Sequence, residues 1–391
     1  MSASFVVLSE DAKIPIPSPP TIAASSHILI DFHTGKVLAE NNADTRLAPA
    51  SLTKIMTTYV VFSEIKNGHL HLDDTATVSE KAWKTSGSKM FVHVNDKVKI
   101  EDLLKGVIIQ SGNDASVTLA EHVAGDESTF AEMMNQTAEK LGMVNSHFQN
   151  SDGLPTENHY TTARDLSLLT RALIHEFPEY YKWFSQKEFT YNKITQQNRN
   201  LLLSRDSTVD GVKTGHTDEA GYCLVASALR NEMRLISVVM GTESNTARAV
   251  ENQTLLNYGF RFFESHQLYK GKQALQEVRV WKGQEKMLPI GLAEDLSVTV
   301  PSRHYSDVKA ETHIDPKIIA PIKAGTKLGA VTVSLKGEVI TTQDLIALKG
   351  IEKGGLFRRL IDSILQLFEK SNTSKPDDSK DKNSEPHADA K

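Results

Sequence analysis

The sequence predicts a mixed α/β (α+β) chain: a larger domain of helices and strands, then a smaller all-β domain, then a terminal amphipathic helix. Three observations predict it. Before residue 264, apolar residues recur at three- and four-residue steps in several segments, interleaved with short strand-like runs. Between residues 275 and 345 the period changes to two, as in Leu296-x-Val298-x-Val300 and Val331-x-Val333-x-Leu335, with Gly, Pro and Asp clusters between the runs. The third observation is length, since 391 residues exceed one ordinary core and call for two domains plus appendages.

Composition narrows the function. Hydrophobic residues at 39% and charged residues at 24% are globular values. A formal net charge of −5, with no basic cluster interleaved with aromatics, leaves no footprint for nucleic acid. No run of apolar residues is long enough to span a bilayer. Cys223 is the single cysteine, which excludes an internal disulfide and a cysteine-based metal site. In the apolar run Gly-Tyr-Cys-Leu-Val-Ala it reads as an inert buried thiol. His266, His304 and His313 are scattered and read as surface residues, so no metal or other cofactor is expected.

In chain order, Phe5-Val6-Val7-Leu8 is the one apolar cluster near the start, shorter than a secretory core and without a basic lead, so the chain is expected to lack a signal peptide. Residues 1–23, proline-rich from Lys13 to Pro20, read as an extended lead-in. Ile28-Leu29-Ile30 and Lys36-Val37-Leu38 flank Thr34-Gly35, a hairpin signal. Residues 50–60 follow as a helix with one buried side, carrying Leu52, Ile55, Met56, Tyr59 and Val60. Ser111-Gly112-Asn113-Asp114 precede another helical pattern, with Asn113 or Asp114 suited to cap it. A helix from about Thr129 to Leu141 ends at Gly142, and Thr162-x-x-Asp165 resembles a capping box opening a helix that Pro178 stops. Val209 to Val225 reads as a strand pair and Arg234–Met240 as a third strand buried on both faces. Gly215, inside the first of these, is a residue that lets another chain approach a strand closely. The expected domains are therefore 24–264 and an all-β unit 265–350, then an amphipathic helix 351–370 and a disordered polar tail 371–391.

The chemistry concentrates at residues 50–60. Ser51 and Lys54 stand one helical turn apart, a hydroxyl beside its own base. Behind Pro49, Ser51 falls in the first turn, where its backbone N–H has no helical acceptor and is free to hold an anion. Ser-x-x-Lys by itself is commonly a solvated surface pair. Here Ser111-Gly112-Asn113 lies sixty residues on, and Lys213-Thr214-Gly215-His216 about a hundred beyond that. A Ser-x-x-Lys, a Ser-x-Asn and a Lys-Thr-Gly in that order are far more specific than one motif.

With these motifs the chain resembles the serine-type D-alanyl-D-alanine carboxypeptidases, the low-molecular-mass penicillin-binding proteins, over about residues 24–370. Asn-Ala-Asp-Thr-Arg-Leu-Ala-Pro-Ala-Ser-Leu-Thr-Lys and Val-Asp-Gly-Val-Lys-Thr-Gly-His-Thr carry the likeness. The resemblance implies a penicillin-binding-protein/β-lactamase-like transpeptidase fold, a central antiparallel sheet with flanking helices. It implies that Ser51 attacks the penultimate D-alanine of a peptidoglycan stem, with Lys54, Ser111, Asn113 and Lys213 as catalytic residues. Thr214, Gly215 and His216 would bind substrate, His216 through its backbone N–H, and Arg199 or Arg248 would face the terminal carboxylate. β-lactam antibiotics would acylate Ser51. It further implies a periplasmic enzyme whose amphipathic helix, residues 356–368, lies on the inner-membrane surface. The alternative for that helix is packing on the all-β domain. The middle motif is Ser-Gly-Asn where class A β-lactamases have Ser-Asp-Asn, and their Glu-x-x-Leu-Asn is not found, so rapid β-lactam hydrolysis is not expected. The other readings are a D,D-endopeptidase or transpeptidase on the same site, and a catalytically idle envelope scaffold.

Overall fold

A computed structural model describes residues 16–372, with side chains through Gln366. The first fifteen residues of the expected lead-in, and all of the expected tail beyond Asn372, lie outside the described residues. The chain forms two compact units, one reaching His266 and reclaiming Thr299–Tyr305, the other made of Gln267–Val298 and the chain from Ser306 onward.

The first unit is built on five antiparallel strands. They are β1 (Ser26–Asp31), β2 (Val37–Asn41), β3 (Val209–Thr217), β4 (Gly221–Arg230) and β5 (Met233–Thr242), in spatial order β2-β1-β5-β4-β3. The Thr34-Gly35 turn joins β1 to β2 as the sequence predicts, with Gly35 at φ 71°. The sheet separates two cores, and strand alternation feeds both. Ile236, Val238 and Met240 of β5 join one core while Leu235 and Val239 join the other, which is why that strand is almost wholly apolar. Helix α1 (Thr53–Lys66) lies in the first core with α2 (Glu80–Lys84), α3 (Asn113–Ala124), α4 (Glu127–Lys140) and α5 (Ala163–Glu176), and α6 (Asn245–Phe262) covers the opposite face.

Two local expectations are corrected. Every residue of α1 from Thr53 to Phe62 is buried, so the helix is enclosed on all sides and its polar residues Thr53, Lys54, Thr57 and Thr58 are interior. The Ser111 motif does not cap α3 with a side chain, because Gly112 occupies the cap position while Asn113 and Asp114 bond elsewhere. Half of the box at Thr162 forms: its hydroxyl accepts the Asp165 N–H, while the Asp165 carboxylate turns instead to the Asn145 N–H and Ser146 Oγ.

The second unit is all-β at its centre, as its period-two pattern predicts. Strands β6 (Ala274–Trp281), β7 (Met287–Leu292), β8 (Val308–Ile314), β9 (Ile318–Ile319), β10 (Lys327–Leu335) and β11 (Glu338–Ala347) form one sheet in the order β8-β10-β11-β7-β6-β9. Helix α7 (Leu356–Asn372) follows. Its Asp362 carboxylate accepts the Lys282 N–H at 2.6 Å and its Arg358 Nη1 donates to the Gln284 carbonyl at 2.6 Å. Leu356, Phe357, Leu360, Ile361, Ile364 and Leu365 all remain exposed. The face turned to the sheet unit is thus polar, and the apolar stripe is the free one.

Candidate active site

Ser51 lies in a tight 3₁₀ turn, Ala50–Leu52, immediately before α1. Two glycines from distant segments hold that turn. A Cβ on Gly153 would stand 1.8 Å from the Ala50 carbonyl oxygen, and one on Gly215 would stand 3.0 Å from that of Pro49. Gly215 is therefore required for close approach, as its place in a strand suggests, and the chain that meets its Cβ position is the serine's own turn.

Lys54 is one turn into the buried helix, 1% exposed. Its Nζ donates to Ser51 Oγ at 3.1 Å, to Asn113 Oδ1 at 2.7 Å and to the Asp152 carbonyl at 2.6 Å. Burial pushes its pKa down to about 8, with Arg199 adding to the depression and Asp152 and Asp114 opposing it. Three acceptors accommodate an ammonium; a neutral amine keeps two hydrogens, and satisfying Asn113 and Asp152 aims its lone pair at Ser51 Oγ.

Ser111 sits at φ 62°, ψ 33°, the left-handed region that few non-glycine residues occupy, at the end of a widened helical turn, Gly106–Gln110. Its Oγ accepts from Lys213 Nζ at 3.0 Å, and the same ammonium donates to the Thr214 carbonyl at 3.0 Å. Lys213 is enclosed, and burial first, then the charges of Lys54, Arg199 and Arg248, hold its pKa well below the usual lysine value. Lys213, Thr214, Gly215 and His216 follow one another along β3, the outermost strand beyond β4. The His216 ring is exposed and lies 3.9 Å from that of Tyr222.

The two arginines differ. Arg248 is 5% exposed and supports β3 from inside, its Nη1 donating to the Gly215 carbonyl at 2.8 Å and its Nη2 to Asn245 Oδ1 at 2.6 Å. Burial brings it down to about 10. Arg199 is exposed, and its charge reaches both lysines and Arg248.

Several contributors escape sequence reasoning. The turn Ser151-Asp152-Gly153 supplies carbonyls to Thr57 Oγ1 at 2.6 Å, to Ser116 Oγ at 2.9 Å and to Lys54. Its Ser-Asp-Gly-Leu-Pro composition marks a turn, but nothing in that composition says which helix it braces. Asn113 is held from the far side too, its Nδ2 donating to the Ser86 carbonyl at 2.7 Å. His159, whose Nδ1 accepts the Gln149 N–H at 3.1 Å, donates through Nε2 to Thr53 Oγ1 at 2.8 Å. Burial lowers its pKa to about 4, so the ring stays neutral beside the serine's turn. No group of His, Cys, Asp and Glu suited to a metal occurs among the described residues.

Two hydroxyl–lysine pairs, Ser51 with Lys54 and Ser111 with Lys213, both lysines buried, suit acyl transfer. Comparison with known proteins bears on which kind. Residues 13–244 match the D-alanyl-D-alanine carboxypeptidase family and residues 263–353 match the C-terminal domain of penicillin-binding protein 5. The chain belongs to the D-alanyl-D-alanine carboxypeptidase family. It is 45% identical over 357 residues to the D-alanyl-D-alanine carboxypeptidase DacC of Escherichia coli, covering 89% of each chain. The crystal structure of penicillin-binding protein 5 from Haemophilus influenzae matches with a TM-score of 0.81 and 41% identity, over 86% of this chain and all of that one. Penicillin-binding protein D2 of Listeria monocytogenes, in its ampicillin-bound form, matches 61% of this chain and 98% of its own with 31% identity and a TM-score of 0.57. The protein is thus a serine-type D-Ala-D-Ala carboxypeptidase with the penicillin-binding-protein fold in its first unit and an all-β second unit.

Proposed function

We propose that Ser51, Lys54, Ser111, Asn113 and Lys213 carry out the carboxypeptidase reaction on peptidoglycan stems. Neutral Lys54 takes the Ser51 hydroxyl proton as Oγ attacks the carbonyl of the penultimate D-alanine. The resulting oxyanion is held by the backbone N–H groups of Ser51 and His216, each donor typically worth about 3 kcal/mol. Collapse expels terminal D-alanine, whose amine receives through Ser111, held by Lys213, the proton that Lys54 took from Ser51, which leaves Lys54 neutral again. Water then attacks the ester on Ser51, with Lys54 again accepting the proton. Asn113 positions the substrate amide, Thr214 and Arg199 receive the terminal carboxylate, and Arg248 keeps β3 in place. One observation carries this reading: with two of its acceptors fixed by the protein, the Lys54 amine has only Ser51 Oγ left to serve.

The strained amide of a β-lactam enters the same path, and ampicillin in the Listeria relative supports it. Intact-mass measurement after incubation with penicillin tests the assignment. One adduct is expected on the protein and none on Ser51→Ala; an adduct that survives the substitution refutes it. The amphipathic α7, with its apolar stripe exposed, supports attachment to a membrane surface at the periplasmic face of the inner membrane. No helix among the described residues is long and apolar enough to cross a membrane.

A further inference from the structure

Helix α2 and the loop that follows it to Val92, which Asn113 bonds at Ser86 and Ser88, display two aromatic rings that the mechanism does not use: Trp83 on the helix and Phe91 on the loop. Trp83 is 42% exposed and Phe91 44% exposed, and between them lies a groove of about 280 Å³ lined also by Lys84, Lys89, Val92 and His93. Phe91 is held at φ 68°, a conformation that strains a bulky residue. The cause of that conformation is Asp114, directly after the catalytic asparagine. Its fully buried carboxylate accepts the N–H groups of Met90 and Phe91 at 2.8 and 2.9 Å, and that of Val92 at 3.4 Å. Met90 is drawn into the core against Gly106 and Gly112, where no Cβ would fit. Asn113 fastens the other end of the loop, its N–H donating to the Ser88 carbonyl at 2.7 Å. Lys89 Nζ caps the Trp83 carbonyl. The loop is therefore fixed from behind at Ser86, Ser88, Met90, Phe91 and Val92, and it holds the Phe91 ring outward at a cost in strain, across the groove from the Trp83 ring on α2.

We infer that Trp83 and Phe91 form a stacking subsite for the sugar rings of the glycan strand from which the peptide stem projects. The inference rests on the proposed reaction and names a further part of its substrate. A pyranose presents an apolar C–H face that suits an aromatic ring, and a rim of hydroxyls and carboxylates that suits Lys84, Lys89 and the His93 imidazole. The glycan is the occupant because it is covalently continuous with a stem held at Asn113, and one wall of the groove is the loop that holds Asn113. Stacking there gives the enzyme binding energy remote from the scissile bond, which fixes the stem in register with Ser51.

The test uses the full chain and the variants Trp83→Phe, Trp83→Ala and Phe91→Gly. Phe91→Gly removes the ring while relieving the positive φ, so folding is not placed at risk. Initial rates are measured on a soluble diacetylated tripeptide ending in D-Ala-D-Ala and on uncrosslinked glycan strands bearing pentapeptide stems. The expected result is a roughly tenfold fall in kcat/KM on the strands, entering through KM, for Trp83→Ala and Phe91→Gly, with the tripeptide unaffected and Trp83→Phe near the parent. Stem-free glycan oligomers should quench tryptophan fluorescence of the parent chain, and the change should vanish in Trp83→Phe. Equal losses on both substrates would make the loop a support for Asn113 only, and unchanged rates on both would leave the rings idle. Fluorescence change with phosphatidylglycerol vesicles but not with glycan would assign the rings to a membrane. Each of those three results overturns the subsite. A parent chain inactive on both substrates overturns the proposed reaction instead, while the oligomer titration still decides the subsite.

Discussion

At the scale of single residues, Lys54 as the proposed base should set the pH at which acylation begins. It must be neutral to act as base, so the rate rises as pH passes its pKa of about 8. Neighbouring charges should move that limb in opposite directions. Arg199→Ala removes a positive charge, lets Lys54 hold its proton more tightly and moves the acid limb to higher pH. Asp152→Asn keeps an acceptor for the Leu154 N–H while removing a negative charge that supports the ammonium, so the limb moves to lower pH. Displacements on the order of half to one unit are expected, and penicillin acylation rates from pH 5 to 10 measure them. A common direction for both variants would mean that cavity or packing effects, and not charge, govern the base. The serines and lysines were legible in the sequence because chemistry dictates their types and helical spacing dictates Ser51 to Lys54. Asp152 was not, since its contribution to Lys54 begins with a backbone carbonyl, which any residue could present.

At the scale of elements, the nucleophile's turn is defined by what surrounds it more than by its own sequence. Periodicity marked α1 as a helix, yet its polar residues Thr53, Thr57 and Thr58 gave a one-sided pattern where the fold encloses the helix completely. Those hydroxyls bond His159, the Ser151 carbonyl and their own helix, which satisfies them without water. Gly153 is the sharper case. It combines φ 86° with a Cβ position 1.8 Å from the Ala50 carbonyl, so Gly153→Ala must displace the turn that carries Ser51. The variant should lose about 2 kcal/mol or more of stability and at least 100-fold in acylation rate. Gly142→Ala is the control, because φ there is 77° but nothing lies within 4 Å. It should cost about 1 kcal/mol and leave acylation unchanged. Thermal melts paired with acylation rates separate the two, and equal activity in both variants would remove Gly153 from the account of the site.

At the scale of the whole chain, a period of two was enough to read an all-β unit, but not that Thr299–Tyr305 returns to the first unit, because alternation names a strand's faces and never its neighbours. The same holds for α7, whose amphipathic pattern left open which side meets protein. The bonds of Arg358 and Asp362 to the segment Lys282–Gln284 answer for its polar side. Leu356, Phe357, Leu360, Ile361, Ile364 and Leu365 are left outward, and at about 1 kcal/mol each on partial burial they supply roughly 6 kcal/mol for lying in a lipid surface before ordering costs. Seventeen residues at about 1.5 Å each make a helix of about 26 Å, short of the roughly 30 Å hydrocarbon core, and charged residues interrupt it, so it should lie flat. Asp362 and Glu369 oppose Arg358, Arg359 and Lys370, which leaves burial dominant over attraction to anionic lipid. Co-sedimentation with lipid vesicles should therefore persist at high salt, where an electrostatic attachment would be screened away. Removing the chain from Gly354 onward should abolish sedimentation while preserving hydrolysis of a soluble tripeptide and leaving the melting temperature within a few degrees. A truncated protein that still sediments, or one that melts far earlier, would return α7 to the role of a packed helix of the second unit.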